Sequence, residues 1–230
     1  MIDTPRREDW VKRSHPASSS RRAAAARSNR RTLGPEERYD ANIEHILQAA
    51  AAVFAEKSFG IASIRDIAAH AQISFPRIYY YLRNKEELLY LISRRAFEQL
   101  LKGARERAEQ AADPEEALRL FIQGHLEYHM NNLPEMKVLV READSLSGRH
   151  ATQIARFKRE YSRVCRRIVE RVAEKYGKTL EREDSQIIAS LMFGAMNWFC
   201  NWDEPPRYDE QRLRITDEVY RMVTAGLMSR

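Results

Sequence analysis

Residues 63–89 read SIRDIAAHAQISFPRIYYYLRNKEELL, and this stretch decides the fold. Ser63 opens a Ser-x-x-Asp pattern with Asp66 at its third position, a capping-box-like start for a short helix over Ile64–His70. Ile64, Ile67 and Ala68 share one face of that helix. Ala71-Gln72-Ile73 makes a tight turn, and Ser74 is placed to cap a second short helix over Phe75–Tyr81. Ile78 and Leu82 turn back to the same core. Two short helices on a three-residue turn are a helix-turn-helix. There the second helix enters the major groove with its N-terminal residues at base edges, and the first crosses the backbone.

The outward positions of the second helix are Phe75, Pro76, Arg77, Tyr79, Tyr80 and Tyr81. Water alone does not favour so many aromatics. In a groove, Arg77 can pair with guanine in bidentate fashion, and Phe75 or Pro76 can touch a thymine methyl. Tyrosine hydroxyls and Lys85 can hold phosphates. The competing reading makes the three tyrosines core or interface aromatics, and one of them is expected to be partly buried.

Working outward, almost everything after Gly34 has helical periodicity and no sustained period-2 run. A first helix is expected over about Glu36–Lys57, with Ile43, Ile46, Leu47, Ala50, Val53 and Phe54 inward and Gly60 as its left-handed stop. Asn84 with Glu87 opens a long helix to about Ala111. Asp113-Pro114 starts one to about Asn131, and Pro134 starts one ending near Gly148. Three more follow: about His150–Tyr176, stopped by Gly177; about Glu183–Asn201, ended by Pro205-Pro206; and about Tyr208–Met228. The expected class is all-α, with about nine helices.

The chain has 230 residues, 43% hydrophobic and 31% charged, an ordinary globular composition. Two cysteines, Cys165 and Cys200, suit a reducing cytosol better than a disulfide framework. No secretory signal is visible, because Ala23–Ala26 is too short for its apolar region. The longest charge-free run, Ser185–Trp202, is interrupted by Gln186, Ser190, Asn197 and Asn201 and falls short of a membrane span. A cytoplasmic protein without a membrane partner is expected.

Residues 1–35 hold nine basic and three acidic residues, so the whole net charge of +6 lies there. The segment has few large apolar residues and is expected to be a disordered basic arm suited to polyanions; a solvated tail is the bland alternative. A second bias, Arg149–Arg182, holds eleven basic and four acidic residues. It suits the wet face of an amphipathic helix or an anion-binding patch.

The stretch from Ser63 to Leu89 resembles the N-terminal signature of the tetracycline-repressor (TetR) family of bacterial transcription regulators. The likeness runs through Ser63, Ile64, Asp66, Ile67, Ala68, Ser74, Ile78, Tyr79, Lys85, Glu86 and Leu88. Gln72 stands where the family usually has a turn glycine, and Phe75-Pro76 replaces a common Lys-Gly, which puts the usual operator preferences in doubt. The resemblance implies a helix-turn-helix domain over 36–84, after the arm of 1–35. It also implies a helical domain over 85–230 that dimerises and holds a small-molecule effector. It assigns phosphate contacts to Ser63, Tyr79 and Lys85, and base-approaching positions to Phe75, Pro76, Arg77 and Tyr81. Ser74 and Tyr80 complete the expected DNA-binding set. The implied partners are palindromic double-stranded operator DNA, a second copy of the chain, and the effector.

Two further stretches, Arg141–Ser147 and Phe193–Trp198 with Trp202 and Pro205, resemble the subgroup that answers to coenzyme A thioesters in fatty-acid, steroid or aromatic-acid degradation. An acyl-CoA needs an apolar tunnel and cations for its phosphates. The candidate effector residues are Phe121, His125, Met130, Arg141, Met192, Phe193, Met196, Asn197 and Trp198, with Leu126, Leu139 and the arginines of 149–182 in support. His125 and His129 stand four apart on one helix face, but no third metal ligand is evident, and no metal or other cofactor is expected. No Gly-rich phosphate loop or nucleophile elbow is present, so an enzyme is not expected. A multidrug-type or aromatic effector, and a nonspecific basic-armed DNA binder, are the alternatives.

Overall fold

The computed structural model describes residues 34–198 and 209–229. The basic arm, Cys200, Trp202, Pro205 and Pro206 lie outside the described residues. The chain divides into two compact units, Met1–His45 and Ile46–Arg230. Of the first, the described part is Gly34 and the opening of a helix, where the Gly34 N–H donates to Glu37 Oε2 at 2.8 Å.

Nine α-helices and no strands occur among the described residues. They are α1 (Pro35–Lys57), α2 (Ile64–Ala71), α3 (Phe75–Tyr81), α4 (Lys85–Gln110) and α5 (Pro114–Asn131). After them come α6 (Leu133–Arg141), a 3-10 turn at Ala143–Ser145, α7 (Gly148–Lys175), α8 (Arg182–Asn197) and α9 (Asp209–Met228). None of the described helices is long and apolar enough to cross a membrane.

The predicted starts are largely where the caps stand. Ser63 and Asp66 close a capping box: Ser63 Oγ accepts from the Asp66 N–H, and Asp66 Oδ2 accepts from the Ser63 N–H. Asn84 accepts from the Glu87 N–H, and Asp113 from those of Glu115 and Glu116. Each satisfies N–H groups that a helix start leaves unpaired.

Three local expectations need correction. The left-handed residue after α1 is Ser58 (φ 67°), not Gly60. Ser74 makes no side-chain cap; Arg77 N–H reaches the Ser74 carbonyl instead, and Pro76 at the second helical position has no N–H to offer. The helix begun by Pro134 ends at Arg141, seven residues early, because the chain passes through the 3-10 turn before α7. Gln72, which stands where the family usually has a turn glycine, adopts the left-handed state (φ 53°), a conformation that costs any residue with a Cβ.

The helix-turn-helix has its own small core. Ile67, Ala68, Ala71, Ile78 and Leu82 are buried with Phe54 and Val53 of α1. Burying each larger aliphatic side chain stabilises by about 1.5–3 kcal/mol. In the rest of the second unit α4 packs on α5, α6 and α7, α5 on α7 and α9, and α7 on α8. Gly103 and Gly124 let the Arg107 guanidinium pass between α4 and α5, since a Cβ at Gly124 would lie 2.8 Å from it. Arg107 there pairs with Glu127 at 2.7 Å.

The Asp66 carboxylate is held well below the usual range by the Lys57 ammonium at 2.8 Å, then by the Ser63 hydroxyl and N–H. A carboxylate with a depressed folded-state pKa contributes stability above its unfolded value, and that contribution fades as pH falls below about 4. Asp66→Ala should lower the melting temperature at neutral pH and lose less than the parent on acidification. Thermal melts from neutral pH to about pH 3 check this; parallel acid limbs would contradict it.

Candidate nucleic-acid interface and internal cavity

α3 has a single fully buried residue, Ile78, and turns nearly everything else outward. Arg77 is exposed and has no ion-pair partner among the described residues. Tyr80 is 75% exposed and Tyr79 50%, far more aromatic surface than a free helix leaves in water without a use. Phe75 stacks edge-on against Tyr79 at 5.3 Å, and the Arg65 guanidinium lies 5.5 Å from the Phe75 ring centre. A cation from α2 thereby steadies the first turn of α3. Tyr81 is the half-buried member of the trio, its ring edge-on to Tyr80 at 5.1 Å. Ser74 and Pro76 stand exposed beside Arg77.

Two expected phosphate contacts are occupied inside the protein. The Lys85 ammonium donates to the carbonyls of Phe59 (2.6 Å), Ala62 (2.9 Å) and Gly60 (3.3 Å), and lies 4.5 Å from the Phe59 ring centre. All three of its hydrogens are engaged there. The Ser63 hydroxyl donates to Asp66 Oδ2 at 2.6 Å within the capping box. Short-range sequence patterns show that a lysine follows Asn84; they do not show that the loop after α1 folds its carbonyls around it.

A cavity of about 790 Å³ lies among α4, α6, α7 and α8. One side is apolar, with Phe97, Leu100, Met136, Leu139, Val140 and Ile154. The other side carries Lys158, Arg159, Arg163, Arg166 and Arg182. Arg166 is committed to Glu170 at 2.7 Å, and Lys158 stands 4.0 Å from Asp144. Arg159, Arg163 and Arg182 are exposed at the rim without acidic partners among the described residues. A smaller cavity of about 310 Å³ shares Leu100, His125 and Tyr161 with the larger one.

Of the expected effector residues, His125, Phe193 and Asn197 line the larger cavity, and Phe121 and His125 line the smaller. Met130, Arg141, Met192, Met196 and Trp198 line neither. Met192 and Met196 are fully buried, and Met192 Sδ meets the Cys165 Sγ at 3.9 Å across the α7–α8 contact. Arg141 is exposed at the end of α6, and Trp198 is 64% exposed at the end of α8. Leu126 is core, whereas Leu139 lines the cavity as expected. Cations of the basic run 149–182 line the cavity, and Arg141 does not. Its α7 members, Lys158, Arg159, Arg163 and Arg166, recur at helical spacing beside Ala155 and Ser162. That was the available signal.

His125 is buried, with Nδ1 3.1 Å from the Tyr161 hydroxyl and Nε2 3.1 Å from Asn197 Oδ1. Both ring nitrogens are taken, so this histidine is not placed as a metal ligand. Burial, then the neighbouring His129, pushes its pKa down to about 4, and burial does the same to His129. Both rings are neutral at physiological pH. Burial also raises the Tyr161 hydroxyl and the Cys165 thiol, which keeps each protonated.

Comparison with known proteins matches both halves of the chain. Residues 46–90 match the family described as bacterial regulatory proteins, tetR family, and residues 111–227 match the tetracyclin repressor-like C-terminal domain. The HTH-type transcriptional repressor NicS of Pseudomonas putida is 27% identical over 176 residues, covering 75% of this chain and 81% of that protein. The TetR-family regulator PfmR of Thermus thermophilus superposes with a TM-score of 0.69 at 27% identity, over 79% of this chain and 98% of its own. AibR, solved in complex with isovaleryl coenzyme A and operator DNA, gives 0.68 at 21% identity, over 79% and 97%. With a family match spanning half of its length and a helix-turn-helix match before it, the chain belongs to the TetR family of bacterial transcriptional regulators.

Proposed function

We propose that the protein is a dimeric repressor that reads a palindromic operator through α3 and is released by an amphipathic anionic effector of the acyl-CoA class. The observation that carries the effector is the large cavity, in which an apolar side faces the unpaired cations Arg159, Arg163 and Arg182. Hydrocarbon suits the first side and phosphates suit the second. A multidrug-type ligand does not call for three unpaired guanidinium groups. AibR, a structural relative, was solved with an acyl-CoA and DNA together. In this reading residues 36–84 bind DNA, residues 85–230 bind the effector and dimerise, and the basic arm of 1–35 strengthens attachment along the backbone.

Dimerisation has its own support. α8 and α9 pack together, yet Ile187, Leu191, Leu213 and Met222 are exposed on them. Large apolar groups left in water on a helix pair suit burial against a second copy. A twofold dimer then presents two α3 helices to successive major grooves.

Coupling requires the effector to favour one arrangement of the dimer over the other. The contacts at the start of α4 support such a route. Glu86 accepts both the N–H and the hydroxyl of Ser147 at 2.8 Å. Ser147 precedes α7, whose Ala151, Ile154 and Ala155 line the cavity. Tyr90 stacks on His150 at 4.3 Å and 8°. Lys85, the neighbour of Glu86, holds the loop that leads from α1 into the helix-turn-helix. Repositioning α7 against a bulky effector therefore pulls on the base of the DNA-binding part.

Selection of bound fragments from genomic DNA at physiological salt should return a shared palindrome; enrichment without one would favour the nonspecific binder. On that operator Arg77→Ala should cost about 1–3 kcal/mol and relax the preference at one base position, as read by fluorescence anisotropy. Unchanged affinity would remove Arg77 from the interface. Leu191→Glu should shift the sedimenting species from dimer to monomer and weaken the operator complex, whereas an unchanged dimer would contradict the interface.

A further inference from the structure

The wall of the large cavity contains a hydrogen-bond chain whose direction follows from the orientation of the Asn197 amide. His125 Nε2 lies 3.1 Å from Asn197 Oδ1. An amide oxygen has no hydrogen to give, so Nε2 carries the ring hydrogen. The neutral ring then has a bare Nδ1, which accepts from the Tyr161 hydroxyl at 3.1 Å. The chain runs from Tyr161 through His125 to the Asn197 oxygen, and every hydrogen within it is used. The surplus appears at one end. The Asn197 amino group keeps two N–H donors with no acceptor among the described residues. His125, Tyr161 and Asn197 all line the cavity, beside Phe193 and Leu100.

The rings around the chain hold it in place. Phe193 lies 5.4 Å from Tyr161 and 5.9 Å from His125, and Phe121 lies 5.3 Å from Tyr161. A hydrogen-bond chain in such apolar surroundings polarises along its length, which strengthens the donor at its open end. Arg182 and Asn197 both line the cavity but stand fifteen residues apart on α8, about 22 Å along the helix axis. A ligand reaching both is extended, with its anionic groups far from its acceptor oxygen. A coenzyme A thioester has that layout.

We propose that the Asn197 side-chain amide, positioned by His125 and Tyr161, is a specificity element that receives an acceptor oxygen of the effector, the thioester carbonyl in an acyl-CoA. This assignment rests on the acyl-CoA reading given above. Its physical basis is an asymmetry. A ligand with the oxygen completes the chain, whereas one with a methylene there leaves an amide donor desolvated and unpaired. The cavity then selects the activated acid over a hydrocarbon of the same shape.

The test compares octanoyl-CoA with S-octyl-CoA, a thioether carrying CH₂ in place of the carbonyl, by calorimetry on the full chain. The parent protein should bind the thioester about tenfold tighter. Asn197→Leu should bind the two alike and hold the thioether more tightly than the parent does, because no amide donor is left unpaired; that gain also shows that the cavity is intact. Tyr161→Phe should shrink the preference without abolishing it, as a positioning residue requires. Equal binding of both ligands to the parent protein overturns the assignment and leaves the acyl-CoA reading standing. Binding of neither ligand rejects that reading and the assignment together. The parent comparison stands whether or not either variant folds.

Discussion

Much of the molecule depends on how one ammonium group is satisfied. Lys85 begins α4 and places its charge against the carbonyls of Phe59, Gly60 and Ala62, in the turn that ends α1 and leads into α2. Carbonyls just past a helix C-terminus have no partner within the helix and attract a cation. One side chain therefore ties the first helix of the DNA-binding part to the long helix of the other part. Without it, the turn must find other partners for three carbonyls, and α4 loses its grip on the helix-turn-helix. Glu86, the next residue, is held by Ser147 at the start of α7. Two consecutive side chains of opposite charge thus face the two halves of the protein.

The same arrangement bears on α3, the seven-residue helix proposed to read the operator. α3 buries only Ile78, too little to hold it in place alone. Its orientation comes from the packing against α2, and from the loop that Lys85 fastens. The rest of α3 is free to carry Arg77 and the tyrosines outward. At the other end of the system, the cavity joins hydrocarbon walls to a cationic rim, and the neutral His125 places a polar chain between them. A charged histidine there would reverse the tautomer argument, and burial is what prevents it.

How much of this was legible in the sequence depends on how local the cause was. Caps are local, so Ser63 with Asp66, Asn84 and Asp113 marked their helix starts correctly. The helix-turn-helix was legible because its core residues, Ile67, Ala68, Ile78 and Leu82, lie within sixteen positions. Helix ends were read less well. Ser58 takes the left-handed state expected of Gly60, because the clasp of Lys85 dictates that turn. The cavity was the least legible part. Methionines at helical spacing look alike in sequence whether they face a ligand or another helix. Met192 meets Cys165 of α7 and Met196 is buried in the core, while His125, Phe193 and Asn197 face the cavity. Lys85 carried a family role in the sequence, and only the loop's path shows where its hydrogens go.

In the proposed function, filling the cavity changes the grip on DNA. The most direct test is a fluorescence-anisotropy titration of the protein on its selected operator fragment with octanoyl-CoA, alongside free coenzyme A and octanoate. The thioester should release the operator at concentrations where neither fragment does, since only the thioester is long enough to reach the apolar wall, the Asn197 amide and the cationic rim together. An operator affinity that stays the same across the three ligands and across longer and shorter acyl chains would contradict it.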